Sequence, residues 1–136
     1  MARRFAVFVS AIILFSALLV ACGGEKSGGS TSGNSKRGED LYHQTTLGPN
    51  AAPGCITCHS LEPGKTLVGP SHAGIATKAA SVVPGMSAED YLRQSIVTPD
   101  AHISEGFTAG VMYQNYSKDL TEQEINDLVA YLMTLK

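Results

Sequence analysis

Gly54-Cys55-Ile56-Thr57-Cys58-His59-Ser60-Leu61 decides the reading of this 136-residue chain. Two thiols stand about one helical turn apart, and a histidine follows the second. Four chemistries use a cysteine pair at this spacing. A thioredoxin-type dithiol belongs in a βαβ context, and no such context is visible. A structural zinc site takes four ligands, and the chain has neither a second C-x-x-C nor an H-x-x-x-H. A plain Cys55–Cys58 disulfide suits an oxidising compartment but leaves His59 unexplained. The remaining pattern, C-x-x-C-H, attaches haem c. Its thiols reach the two vinyl groups as thioethers, and the adjacent histidine projects at the iron.

The third cysteine has a different context. Arg3 and Arg4 precede the uncharged run Phe5–Ala21, which is slightly short for a membrane span of roughly 20 residues. The run ends Leu19-Val20-Ala21-Cys22. A basic start, an apolar stretch and a small residue at the cut form a signal peptide, residues 1–21. The last four residues resemble the lipobox of bacterial lipoproteins, which implies cleavage before Cys22 and its lipidation. The plainer alternative is an uncleaved signal anchor with an incidental cysteine. With Cys22 lipidated and Cys55 and Cys58 attached to one haem, no thiol is left over. The folded part then lies on the extracytoplasmic face of a bacterial membrane, on the periplasmic side. Two or three acyl chains suffice for stable anchoring, whereas one binds only marginally.

After cleavage, 8 Lys+Arg face 12 Asp+Glu, a net of −4 with neutral His. That balance argues against a nucleic-acid binder. Ten of the 16 residues from Gly23 to Gly38 are Gly or Ser, and none is a large apolar residue. Such a segment cannot bury enough surface to offset its ordering entropy. Residues 22–36 therefore read as a flexible linker with a reach of about 20–25 Å. Residues 37–136 read as one small domain.

Within that domain the signals are helical. Thr121-Glu122-Gln123-Glu124 is a capping box, followed by Ile125, Leu128, Val129 and Leu132 at helical spacing. Ser87, with Asp90 three residues on, opens another helix carrying Tyr91, Leu92 and Ile96, and Pro99 closes it. Ser71 is positioned to cap a short helix through Thr77. Residues 47–54, 62–70 and 98–110 read as Gly- and Pro-rich loops, and no run alternates with period two. The expectation is an all-α domain of short helices around one planar cofactor.

Several motifs, in order, resemble class I c-type cytochromes across nearly all of residues 36–136. Lys36-Arg37-Gly38-Glu39-Asp40-Leu41-Tyr42 resembles the family's N-terminal helix, and Gly54–Leu61 its attachment segment. Leu67-Val68-Gly69-Pro70-Ser71-His72-Ala73-Gly74-Ile75 resembles the loop whose proline carbonyl orients the histidine ligand, which implies that role for Pro70. Glu105–Tyr116 resembles the loop delivering a distal methionine. Tyr131 corresponds to the residue that packs against the N-terminal glycine, here Gly38. The chain is most similar to monohaem domains of bacterial respiratory complexes, such as the cytochrome domain of oxidase subunit II and the lipidated monohaem subunit of alternative complex III.

His59 supplies one axial ligand. Candidates for the other are Met86, Met112, Met133, His43, His72 and His102. Met133 lies among apolar residues of the last helix and reads as core. Met86 sits just before a helix cap. Met112 lies in the loop before the last helix, where the family places its methionine, although Tyr113 stands where relatives often have proline. A bis-His site is the alternative to Met112. His43 and His102 read as surface residues. His72 occupies a position that is usually apolar in relatives, which puts it near a haem edge. Tyr113, Tyr116 and Arg93 are candidate donors to the haem propionates.

The resulting expectation is a monohaem electron carrier, not an enzyme by itself, linking membrane-bound respiratory or photosynthetic partners. Those partners include a quinol-oxidising complex, a terminal oxidase or a reaction centre. The carrier is lipid-anchored or a subunit of an oxidoreductase. The alternative is a haem sensor or peroxidase-like protein with a labile sixth ligand.

Overall fold

The computed structural model describes residues 32–136. The signal peptide 1–21, the lipidation site Cys22 and most of the linker lie outside the described residues. Five helices follow in order: α1 Ser35–Tyr42, α2 Ile75–Val82, α3 Ala88–Val97, α4 Tyr116–Asp119 and α5 Glu122–Leu132. Among the described residues no helix is long and apolar enough to cross a membrane.

Helix α1 starts inside the stretch read as linker. The Asn34 side chain accepts from the Arg37 amide at 3.0 Å, so Ser35 and Lys36 are already helical. Helix α5 opens on the expected box: the Thr121 hydroxyl accepts from the Glu124 amide at 3.2 Å, and the Glu124 carboxylate accepts from the Thr121 amide at 2.8 Å. Helix α3 is capped by Ser87 through the Asp90 amide, and Pro99 begins a separate short 3₁₀ turn, Pro99–Ala101.

Helices α1 and α5 pack directly on each other. Gly38 makes this possible, because an added Cβ there would meet the Asp127 carbonyl and lie 2.8 Å from the Tyr131 Cβ. Asp127, 2% exposed, locks the crossing. Its carboxylate accepts from Arg37 Nε at 2.8 Å, the Asn34 amide at 2.6 Å and Gln123 Nε2 at 2.9 Å. Burial pushes this carboxyl up, but the surrounding donors outweigh it and hold it below the usual carboxylate range. Tyr42, Leu47, Ile125 and Leu128 form the centre of the core. Each such side chain contributes about 1.5–3 kcal/mol by leaving water.

Two local expectations need correction. Ser71 caps no helix. Its hydroxyl donates to the Glu62 carbonyl at 2.7 Å and accepts from the Ala73 amide at 3.1 Å, fastening a loop. The helix starts at Ile75 after Gly74 and runs past Thr77 to Val82, because Ala76 and Ala79 are buried against the core. The stretch read as the loop 47–54 also takes part in a small antiparallel ladder, β1 Thr46–Leu47 with β2 Ala52–Pro53. Two residues per strand are too few for a period-two pattern.

Candidate functional site

A cavity of about 520 Å³ opens between the Cys55–His72 segment, helix α3 and the loop 99–115. That volume lies within the range of sites that hold a small molecule or cofactor. Its lining includes Cys55, Cys58, His59, Pro70 and Met112 together. The fold thus brings to one cavity the two cysteines, the histidine, the proline and the methionine read as the haem-binding set.

The attachment segment is a single 3₁₀ turn, Cys55–Thr57, with Cys58 at its end. The Thr57 hydroxyl donates to the Gly54 carbonyl at 2.6 Å, and the His59 amide donates to the Cys55 carbonyl at 2.9 Å. Both thiols are free. Burial pushes the Cys55 thiol up to about 12. A redox dithiol needs the opposite, a thiolate favoured near neutral pH.

His59 is 8% exposed and held by a short cradle. Its Nδ1 lies 2.8 Å from the Pro70 carbonyl. A carbonyl only accepts, so Nδ1 carries the proton and Nε2 is left with its lone pair. Gly69 lies against the same ring, and a Cβ there would sit 2.8 Å from Nδ1. Burial holds the imidazole below its usual range, partly offset by the Pro70 bond, so it stays neutral and able to ligate. Two free thiols, a neutral imidazole with its second nitrogen presented and a cavity beside them fit a covalently attached haem. Zinc lacks a donor set: among the described residues no three His, Cys, Asp or Glu side chains converge.

Met112 reaches the cavity from the other segment and is half-buried. Its loop is fastened by Asp100, whose carboxylate accepts from the Gly110 amide at 2.9 Å and from Gln114 Nε2 at 3.2 Å. Gln114 Nε2 also donates to the Met112 carbonyl at 2.8 Å. Met86 and Met133 pack against the core and do not line the cavity. His43 is exposed beside Tyr42 and also lies outside the lining. His102 lines it from an exposed position, edge-on to Tyr91.

The three candidate propionate donors have protein partners instead. Tyr113 donates to Asp119 at 2.5 Å, and Tyr116 donates to the Pro53 carbonyl at 2.5 Å. Arg93 pairs with Glu122 at 3.0 Å and with Asn126, outside the cavity. Asp119 draws the Tyr113 hydroxyl because it is buried at the end of α4, where Asn50 Nδ2 also reaches it at 2.6 Å.

His72 lines the cavity against His59 itself. The two imidazoles are stacked, with centroids 4.0 Å apart and planes 13° from parallel. Burial, with His59 alongside, pushes His72 down to about 3, so it is neutral at ordinary pH. The Asp100 fastening and this stack are the elements that spacing alone did not reveal. The only sequence signal for either was a histidine at a position usually apolar in the resembling family.

Residues 35–136 match the family model described as cytochrome c. No curated protein matches the chain.

Proposed function

The chain belongs to the cytochrome c family, and from that membership we propose how this haem-bearing electron carrier is built and where it works. Cys55 and Cys58 would hold the haem through thioether bonds, and His59 and Met112 would ligate its iron. The observation that carries this reading is their convergence, with Pro70, on one cavity. Haem supplies an iron that takes up and gives back one electron. The protein's residues set the conditions. The Pro70 carbonyl fixes the His59 tautomer and keeps Nε2 as the donor. A thioether from Met112 would favour ferrous iron and raise the potential. With both His59 and Met112 as ligands, the iron would offer no position to a substrate, which fits a site that carries electrons.

The cavity rim supports a docking mode. Val68, Ile103 and Val111 line it and are 54%, 36% and 56% exposed. An apolar rim of this kind suits small, short-lived interfaces, with the acidic surface steering encounter. The domain is tethered through lipidated Cys22 to the extracytoplasmic face of a bacterial membrane. There it passes electrons between a quinol-oxidising complex and a terminal oxidase or reaction centre, as a leashed carrier or as a complex subunit.

Expression of the full chain in a haem-c-competent bacterium tests this. The haem should sit in the membrane fraction, be reduced on quinol addition and reoxidise with oxygen. Cys22→Ser should release it to the soluble extracytoplasmic fraction. A membrane-bound Cys22→Ser protein contradicts the lipid anchor, and a haem inert to quinol and oxygen contradicts the carrier role.

A further inference from the structure

We propose that His72, held by the Tyr42 hydroxyl, is a positioning residue that fixes the ring plane of His59. The inference rests on His59 being an axial ligand of the haem. The Pro70 carbonyl holds one atom of that imidazole, and a single hydrogen bond leaves the ring able to swing about it. The Gly69 backbone borders one part of the ring, where a Cβ would collide. A flat face stacked at 4.0 Å and 13° closes off the swing, because tilting the imidazole about its Cβ–Cγ bond drives one ring into the other.

A stack orients its partner only if it is itself held. The His72 amide donates to the Ser60 carbonyl at 2.8 Å, which fixes its backbone beside the attachment segment. Tyr42 Oη lies 3.0 Å from His72 Nδ1 and 3.3 Å from the His59 carbonyl. These distances fit a chain in which Nδ1–H donates to the hydroxyl and the hydroxyl donates to the His59 carbonyl. Tyr42 has no exposed surface and packs on Tyr131, with ring centroids 5.2 Å apart, so its hydroxyl is a fixed point. An aliphatic side chain at position 72 would fill the same space with neither a flat face nor this anchor. Groups that orient an axial ligand tune the metal it binds, and the plane of an axial imidazole governs how unpaired spin spreads over ferric haem.

The test is the proton NMR spectrum of ferric holoprotein, read in the paramagnetically shifted haem methyl resonances. His72→Leu should change their order or spread. His72→Phe, which keeps a flat ring, should restore a pattern close to wild type. Tyr42→Phe, which removes one oxygen, should shift the pattern by less than His72→Leu. A wild-type pattern in either His72→Leu or Tyr42→Phe overturns the proposal, as does an equal shift in His72→Phe and His72→Leu. Should His72→Leu yield no holoprotein, Tyr42→Phe decides by the same criterion. Failure of the underlying reading shows separately, as a wild-type protein without low-spin ferric haem.

Discussion

The two segments that bring His59 and Met112 to the cavity are built to different standards. The segment Gly54–Ala73 holds His59 from several directions: Pro70 at Nδ1, Gly69 against the ring and His72 on its face. It is also tied across itself, the Gly69 amide donating to the Cys58 carbonyl at 2.9 Å. The loop 98–115 presents Met112 half-buried and depends largely on one exposed carboxylate, Asp100. Its glycines at 106 and 110 have open space where a Cβ would go, whereas the space at Gly69 is filled by His59. One side is therefore preorganised by packing and the other by a few polar contacts. Local stability follows such differences in burial and exposed hydrogen bonding.

Substitution can break this contrast, beginning with the largest effect. Gly69→Val puts a branched side chain into the His59 ring and should cost about 3 kcal/mol or more, at the upper end of overpacking. Holoprotein yield and thermal unfolding check this. Gly106→Ala meets no atoms and should cost only about 1 kcal/mol, from its left-handed backbone. Equal losses would erase the distinction between the two sides.

Met112→Ala should abolish the far-red ferric band of sulfur ligation and let carbon monoxide bind the reduced protein. Met86→Ala should leave both properties unchanged, since Met86 lies outside the cavity lining. Visible spectroscopy of the two variants separates the candidates.

Asp127→Asn tests the scaffold beneath both sides and should cost about 2 kcal/mol, as for a hydrogen-bonded charge. Its carboxyl is depressed in the folded state, so its contribution is complete above the unfolded value of about 3.9. The contribution is lost as pH falls through the folded value. Denaturant titrations should therefore show a shallower acid limb in Asp127→Asn between about pH 4 and lower pH. Above about pH 4 the difference from wild type should be constant.

Asp100→Asn should have a small effect. It weakens the hold on the Gly110 amide by about 1 kcal/mol. Binding of added imidazole to the ferric protein should rise about fivefold, with the far-red band retained.

Legibility in the sequence divides along similar lines. The attachment segment is contiguous, so spacing alone presented its thiols and histidine. The helices at Ser87 and Thr121 carry their caps within four residues, and the structure has both. Gly38 and Tyr131 followed from resemblance, and their close approach is present. The rest depends on tertiary partners. Ser71 has the chemistry of a cap, but the Glu62 carbonyl captures its hydroxyl. Tyr113 and Tyr116 have free-looking hydroxyls in sequence, yet Asp119 and Pro53 accept from them. Asp100 and Gly110 are ten positions apart with no periodicity to link them, so the Met112 fastening had no local signature. The His72 stack had one signal, a histidine where relatives are usually apolar, and the hydroxyl that holds it comes from Tyr42 in α1, 30 residues away.

The central claim is a haem closed by His59 and Met112. Visible spectra of the purified domain, oxidised, reduced and exposed to carbon monoxide, test it most directly. The account predicts a c-type reduced spectrum, a far-red ferric band of sulfur ligation and no shift with carbon monoxide. A haem spectrum that lacks the band, or that shifts readily with carbon monoxide, would contradict the closed site, and a colourless protein would contradict the haem itself.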